Sequence, residues 1–254
     1  MKKLLFVCFA IGAASAFAVP TLSDVRARPV GSDDKSVRIT YILNGEPAVV
    51  TLGLYNKSTG EYIDEGSYTN LSGDVNCLVQ PGVSHSLIWK KENNWSIADS
   101  DIDVRLRAWP TNCPPNYIVF FDLTKKKTAA TQVKYYVSPK AFPVPLSDIM
   151  YRTSCLVMRK IPAANVEWRM GSPSTESWRD ANMEAPRLVT LSDDYYMGVY
   201  PVTQGQGILV LGHVPGQFIF PNAVNPEDSY PVGFYAYNDI RGTKGGDPNI
   251  DWPN

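Results

Sequence analysis

Histidine is almost missing from this sequence and cysteine is sparse: the 254 residues hold two of the first and four of the second. No two cysteines stand in a C-x-x-C spacing, and the histidines, His85 and His213, lie far apart. An ordinary zinc site, which takes closely spaced Cys and His ligands, is therefore not expected. An excess of either charge is missing too. The 24 Lys and Arg stand against 25 Asp and Glu, a net charge of −1, so bulk electrostatic binding to nucleic acid has no basis. No apolar run reaches the ~20 residues that a membrane-spanning helix needs. There is no G-x-S-x-G string and no G-K-[ST] phosphate loop; Gly242-Thr243-Lys244-Gly245-Gly246 has the composition of a turn. Neither a repeat nor a low-complexity stretch occurs, and the 18 Gly and 20 Pro follow no period, which excludes collagen. At 44% hydrophobic and 19% charged residues the chain is not of the disordered class.

What is present begins with an address. Met1-Lys2-Lys3 is basic, Leu4 to Phe17 is apolar or small, and Ala16-Phe17-Ala18 is a small-x-small cleavage site before Val19. This is the layout of a secretory signal peptide over residues 1–18. It predicts a secreted, periplasmic or cell-surface protein with no stable membrane insertion. Cys8 leaves with the signal, and Cys77, Cys113 and Cys155 remain, an odd number. In an oxidising compartment Cys77 and Cys113, which share one predicted domain, are the more favourable pair; three separate thiols are the alternative.

Residues 19–137 read as short strands. In Val37 to Leu43 the odd positions form one apolar face. Val49 to Tyr55 is more continuously apolar, and Asp103 to Ala108 alternates with Arg105 and Arg107 outward. Tyr117 to Leu123 and Gln132 to Val137 complete the set. Asn44-Gly45, Thr59-Gly60, Ser72-Gly73 and Pro81-Gly82 punctuate it as turns. About seven to nine strands without a helix argue for an all-β sandwich. Trp89 and Trp95 are read as core residues, and Lys125-Lys126-Lys127 as a solvated loop. Residues 138–148 carry three prolines and read as an extended connector, with the domain boundary near residue 140.

The segments from Asn44 to Val50, Gly73 to Asn76 and His85 to Trp89 resemble the immunoglobulin-like modules that precede catalytic-type domains in secreted bacterial proteins. That resemblance implies a spacer or interaction module without an active site.

Residues 149–254 have a different texture. Met158 to Ala163 is a strand, and Met170-Gly171-Ser172 closes another with a glycine free to take positive φ. Leu188 to Leu191 and Tyr195 to Tyr200 are short strands, and Thr203 is an N-cap candidate for a helix over Gln204 to Leu211. Four blocks stand in order here: Met170-Gly171-Ser172-Pro173; the stretch from Glu184 to Leu191 (E-x-P-x-x-V-T-L, with Arg187 and Leu188 inside it); Pro201-Val202-Thr203-Gln204; and Pro231-Val232 leading to Tyr237-Asn238-Asp239-Ile240-Arg241-Gly242. Together they resemble the N-terminal part of the formylglycine-generating enzyme, or sulfatase-modifying factor, family. The resemblance implies a partial α+β, C-type-lectin-like domain. Members of the family oxidise a sulfatase cysteine to formylglycine with copper held by a cysteine pair. That pair belongs to the C-terminal part of the family domain and has no counterpart here, so the expectation is a truncated domain inactive as an oxidase. Cys155 precedes the first block and is not at a catalytic position. Gly207 and Gly233 depart from the family's usual bulky aromatic and acidic residues.

No catalytic, cofactor-binding or metal-binding residue is singled out. Asp247, Asn249 and Asp251 alternate like the start of a calcium loop, but Trp252 stands where the loop's glycine belongs, and a polar tail is the reading. Copper or calcium is implied only for a full family domain. The functional expectation is an exported protein inactive as an oxidase; the alternative is a non-catalytic secreted or cell-surface binding module for a glycan or a protein.

Overall fold

The computed structural model describes residues 19–31, 35–123, 132–211 and 229–232. The signal sequence, Lys125–Lys127, His213, the Gly242–Gly246 turn and the Asp247–Asp251 tail lie outside the described residues. Among the described residues the chain is mostly β-sheet, with four short 3-10 turns and one α-helix. The strands are β1 (Thr21–Val30), β2 (Ser36–Asn44), β3 (Ala48–Asn56), β4 (Glu61–Tyr62), β5 (Leu71–Gly73), β6 (Cys77–Val79), β7 (Ser84–Lys90), β8 (Ile102–Pro110), β9 (Tyr117–Phe120), β10 (Val133–Tyr136), β11 (Leu156–Ile161), β12 (Glu167–Met170), β13 (Arg187–Thr190) and β14 (Tyr195–Gly198). The helix is α1 (Gln204–Leu211).

Two sheets share the first core. One has the order β1-β2-β7-β5. In the other, β3 pairs along its whole length with β8, while its opposite edge takes β6 at Ala48–Val50 and β4 at Tyr55–Asn56. The period-2 pattern explains the packing. Val37, Ile39, Tyr41 and Leu43 of β2 and Leu87 and Trp89 of β7 turn inward, against Val50, Leu52 and Leu54 of β3. Burying each such large side chain contributes about 1.5–3 kcal/mol. Trp89 is fully buried and meets Trp95 edge-to-face at 4.8 Å, so both tryptophans belong to the core.

The last two strands expected in this sandwich leave it. β9 and β10 enter a different sheet, of order β10-β9-β11-β14, with β11 antiparallel to β9 from Leu156↔Phe120 to Arg159↔Tyr117. Pro114 and Pro115, just before β9, have no amide proton to donate to a ladder, and the chain changes sheet there. The division between sheets thus falls between Pro110 and Tyr117, ahead of residue 140. Residues 138–148 are not a free connector either. Phe142 is 3% exposed and contacts the rings of Tyr117, Tyr136 and Tyr151 at 5.8, 4.9 and 5.5 Å. It is the centre of a second core with Val119, Cys155 and Val157. Lys140 bonds Asp64 at 2.5 Å, Ser138 donates to Glu65, and the Tyr135 amide donates to the Asn76 carbonyl at 2.8 Å, tying the part around the second core to the part around the first.

In the second half the helix stands over Gln204–Leu211 as expected, while the strands run over Leu156–Ile161, Arg187–Thr190 and Tyr195–Gly198, their ends shifted by one or two residues. Gly171 has φ +110° at the end of β12, and a Cβ there would lie 2.8 Å from the Ala185 carbonyl oxygen. β12 and β13 form a separate two-stranded sheet. Helix α1 opens with a capping box. Thr203 Oγ1 accepts from the Gln206 amide at 3.2 Å, and Gln206 Oε1 accepts from the Thr203 amide at 3.0 Å.

Candidate functional site

The outer face of the β3–β8 pair gathers arginine and aromatic side chains that hold one another in place. Register places Val49, Thr51, Gly53 and Tyr55 opposite Trp109, Arg107, Arg105 and Asp103. These residues point away from the first core because their neighbours Val50, Leu52, Leu54, Val104 and Leu106 point into it. Trp109 Nε1 donates to Thr51 Oγ1 at 2.8 Å, which fixes the indole. The Arg107 guanidinium lies 3.5 Å from the Trp109 ring centroid, and that of Arg105 lies 4.1 Å from Tyr55 and 5.6 Å from Tyr62. Gly53 leaves room for the Tyr62 ring, whose nearest atom is 3.6 Å from where a Cβ would stand.

A guanidinium stacked on a ring is held in one plane while its N–H edge stays free to donate. Arg105 spends part of that capacity on Asp103, at 2.9 Å. Among the described residues no carboxylate pairs with Arg107. The face borders an open groove of about 680 Å³, lined by Tyr62, Arg105, Arg107 and Trp109 and by Leu22, Val25, Val104 and Leu106. A planar array of donors and ring edges beside this groove, which Glu65 also lines, can hold an anionic or polyhydroxylated ligand. Sequence reading marked Arg105 and Arg107 as outward. It missed the face, because the partners Tyr55, Tyr62 and Thr51 come from strands 43 to 58 residues away whose register only pairing reveals.

The residues weighed for chemistry are spread out. His85 stacks on Tyr41 at 5.4 Å, and its ring nitrogens face Asp74 Oδ2 at 3.0 Å and the Gln80 carbonyl at 2.8 Å. Tyr41 donates to the Asp74 carbonyl, and burial together with the Asp74 charge pushes its phenol above the ordinary range. This cluster is satisfied internally and closes the turn between β5 and β6. The Cys77–Cys113 bridge is not formed, and the three cysteines among the described residues, Cys77, Cys113 and Cys155, are free. Cys77 in β6 packs against the first core, whereas Cys113 is exposed on the turn after β8, with Lys160 Nζ 3.5 Å from its sulfur. Cys155 is buried in the second core. Burial pushes the Cys77 and Cys155 thiols up, which keeps them protonated and weak as nucleophiles. A copper–thiolate centre needs two converging sulfurs, and these three stand on separate features, so the described residues do not fit one. No group of three or more His, Cys, Asp or Glu converges among them.

The Thr203-Gln204-Gly205-Gln206 string is held inside the fold. Thr203, Gln204 and Gln206 are all buried. Thr203 Oγ1 donates to the Arg152 carbonyl at 2.8 Å, and Gln206 Nε2 donates to the Cys155 carbonyl at 2.6 Å. The string pins α1 to the segment that leads into β11.

Family models, curated proteins and solved structures were all compared with the chain, and none matches it.

Proposed function

We propose that this chain is an exported, non-catalytic binding module whose ligand, a glycan or a protein, docks on the Arg105–Arg107–Trp109–Tyr62 face. In this reading an immunoglobulin-like sandwich carries the contact surface. The formylglycine-generating-enzyme-like half, of C-type-lectin-like architecture, is scaffold and is inactive as an oxidase. The signal-like layout of residues 1–18 supports export. The observation that carries the binding role is the stacking of two exposed arginines on Trp109, Tyr55 and Tyr62 beside the groove. The scaffold role is supported by the use of Thr203 and Gln206 to hold backbone at Arg152 and Cys155.

The test is affinity electrophoresis of the purified chain through gels holding soluble acidic or neutral polysaccharides, with a protein pull-down from its own cell surface in parallel. Retardation or capture that is lost in Arg107→Ala and Trp109→Ala supports the reading; retention unchanged by both substitutions refutes it. For the scaffold half, the chain incubated with copper and a sulfatase cysteine peptide should yield no formylglycine by mass spectrometry. Turnover would refute that part.

A further inference from the structure

The strand β8 carries an unused edge. It pairs with β3 alone among the described residues, and no backbone bond joins it to β1, the nearest strand of the facing sheet. Alternate residues of an antiparallel strand bond its partner, and the Lys57–Asp101 bond sets that phase, so Ile102, Val104, Leu106 and Ala108 turn their amides and carbonyls to the open edge. Such an edge is a template for another strand unless something blocks it. Proline blocks only the far end, at Pro110, and no lysine lies along it.

The charges on this edge follow a self-complementary order. Asp101 and Asp103 precede Val104, and Arg105 and Arg107 follow it. Asp103, Arg105 and Arg107 share the outer face, and the Asp101 carbonyl accepts from the Lys57 amide at 2.7 Å, which continues the β3 ladder one residue past the strand. We infer that β8 pairs antiparallel with β8 of a second copy of this chain, in a register centred on Val104.

In that register each Asp103 faces the partner's Arg105, and Asp101, which ends the 3-10 turn before β8, comes level with the partner's Arg107. Val104 meets its own copy, and Ile102 meets the partner's Leu106. Apolar residues thus stay on one face and charges on the other, as the period-2 rule demands. Neighbouring registers fail. A centre on Leu106 sets Arg105 against Arg107, a centre on Ile102 sets Asp101 against Asp103, and centres on Asp103 or Arg105 set a like charge against itself. Directly opposed like charges destabilise a strand pair and opposite charges stabilise it. The contact is isologous, so it closes at two copies and does not propagate. In the single chain Arg105 turns back to its own Asp103 at 2.9 Å, with both side chains nearly half exposed, so this ion pair can exchange for two pairs across the interface. The two arginine–aromatic faces then lie on one continuous sheet. A single strand pair is a small interface, so the dimer belongs to the weak, concentration-dependent class.

The test uses the full chain in sedimentation velocity, without any ligand, so that its outcome is separate from the binding reading. The expected result is a concentration-dependent dimer at low salt that shifts toward monomer near 1 M salt, where the screening length falls to ~3 Å. Arg105→Asp alone and Asp103→Arg alone each weaken self-association by about tenfold or more, since each sets like charges opposite. Mixing the two variants restores a dimer, because the chain that is acidic at both positions then faces the chain that is basic at both. Restoration also requires that both variants be folded, and circular dichroism checks this independently. A chain that is monomeric at every concentration and salt overturns the inference. So does a dimer indifferent to either substitution, or a mixture of folded variants that stays monomeric.

Discussion

Replacing Gln206 by alanine tests whether a single amide holds the only described α-helix to the rest of the fold. The side chain is 3% exposed and makes three contacts. Its Oε1 accepts from the Thr203 amide at 3.0 Å, and its Nε2 donates to the Cys155 carbonyl at 2.6 Å and more loosely to the Tyr151 carbonyl at 3.4 Å. Alanine leaves one buried amide and one well-bonded carbonyl without partners, each costing about 1–3 kcal/mol, which gives about 3 kcal/mol in total if water enters part of the space. Gln206→Glu is the sharper variant. It keeps the size and can still accept from Thr203, but it sets a carboxylate oxygen against the Cys155 and Tyr151 carbonyls. The carboxylate escapes that repulsion only by taking up a proton, so the variant should be less stable at pH 8 than at pH 5. Amide hydrogen exchange at Thr203 and at Gly207, whose amide bonds the Thr203 carbonyl at 2.9 Å, is the direct assay. A loss of about 3 kcal/mol speeds exchange there by about a hundredfold, if these amides exchange by opening of this contact. Exchange in Gln206→Ala within a factor of about three of the parent, or a Gln206→Glu variant as stable at pH 8 as at pH 5, would refute the reasoning.

Two other perturbations have determinate signs. Gly73 has φ +85°, and an added Cβ would meet the Ser86 carbonyl oxygen at 2.5 Å, so Gly73→Ala should cost more than about 2 kcal/mol in urea denaturation. Gly53→Ala, where the nearest atoms lie at 3.5 Å or more, should be neutral or slightly stabilising; equal losses at the two sites would sink the steric account. The buried phenols of Tyr68 and Tyr151 are each pushed up to about 12, chiefly by burial. Unfolding lets them ionise at the ordinary value near 10. Their contribution is therefore intact below about pH 10 and is lost as pH rises toward about 12. Denaturation midpoints measured from pH 8 to pH 11.5 should be flat and then fall, and Tyr68→Phe should shallow the fall.

Strand positions in the first sheet pair were legible because one-sided burial imposes a period of two that local sequence records. Ser36–Asn44 buries the four residues that alternation picks out. The helix was legible because its cap is a local device: Thr203 and Gln206 are three residues apart and bond each other. Sheet membership was not legible. Tyr117–Phe120 alternates equally well in either sheet, and its partners, Leu156–Arg159, lie beyond a proline-rich stretch that composition marks as a connector. Phe142 inside that stretch shows the failure in one residue, since proline content speaks of backbone donors and not of whether an aromatic between them is buried. The arginine–aromatic face is a product of register, which no window of sequence contains.

Sheet membership also decides where proteases should cut. A boundary at residue 140 would predict trimming there. Yet Phe142 is buried, the amides of Ala141 and Phe142 are bonded within a 3-10 turn, and β10 and β11 on either side of the stretch are joined through β9. Cleavage at 140 would have to break the second core first, and a protease reaches only backbone that opens locally. The stretch between β12 and β13 offers such backbone. Trp178 is 101% exposed and Met183 82%, and the stretch lies outside every strand and both cores. Within residues 132–211, chymotrypsin at low ratio should therefore cut first after Trp178. The strands of the β10-β9-β11-β14 sheet should stay associated after that cut, because β11 and β14 pair with each other on either side of it. First cleavage after Phe142, read by intact-mass spectrometry, would mean that the proline-rich stretch does act as a connector in solution and that the second core does not span it.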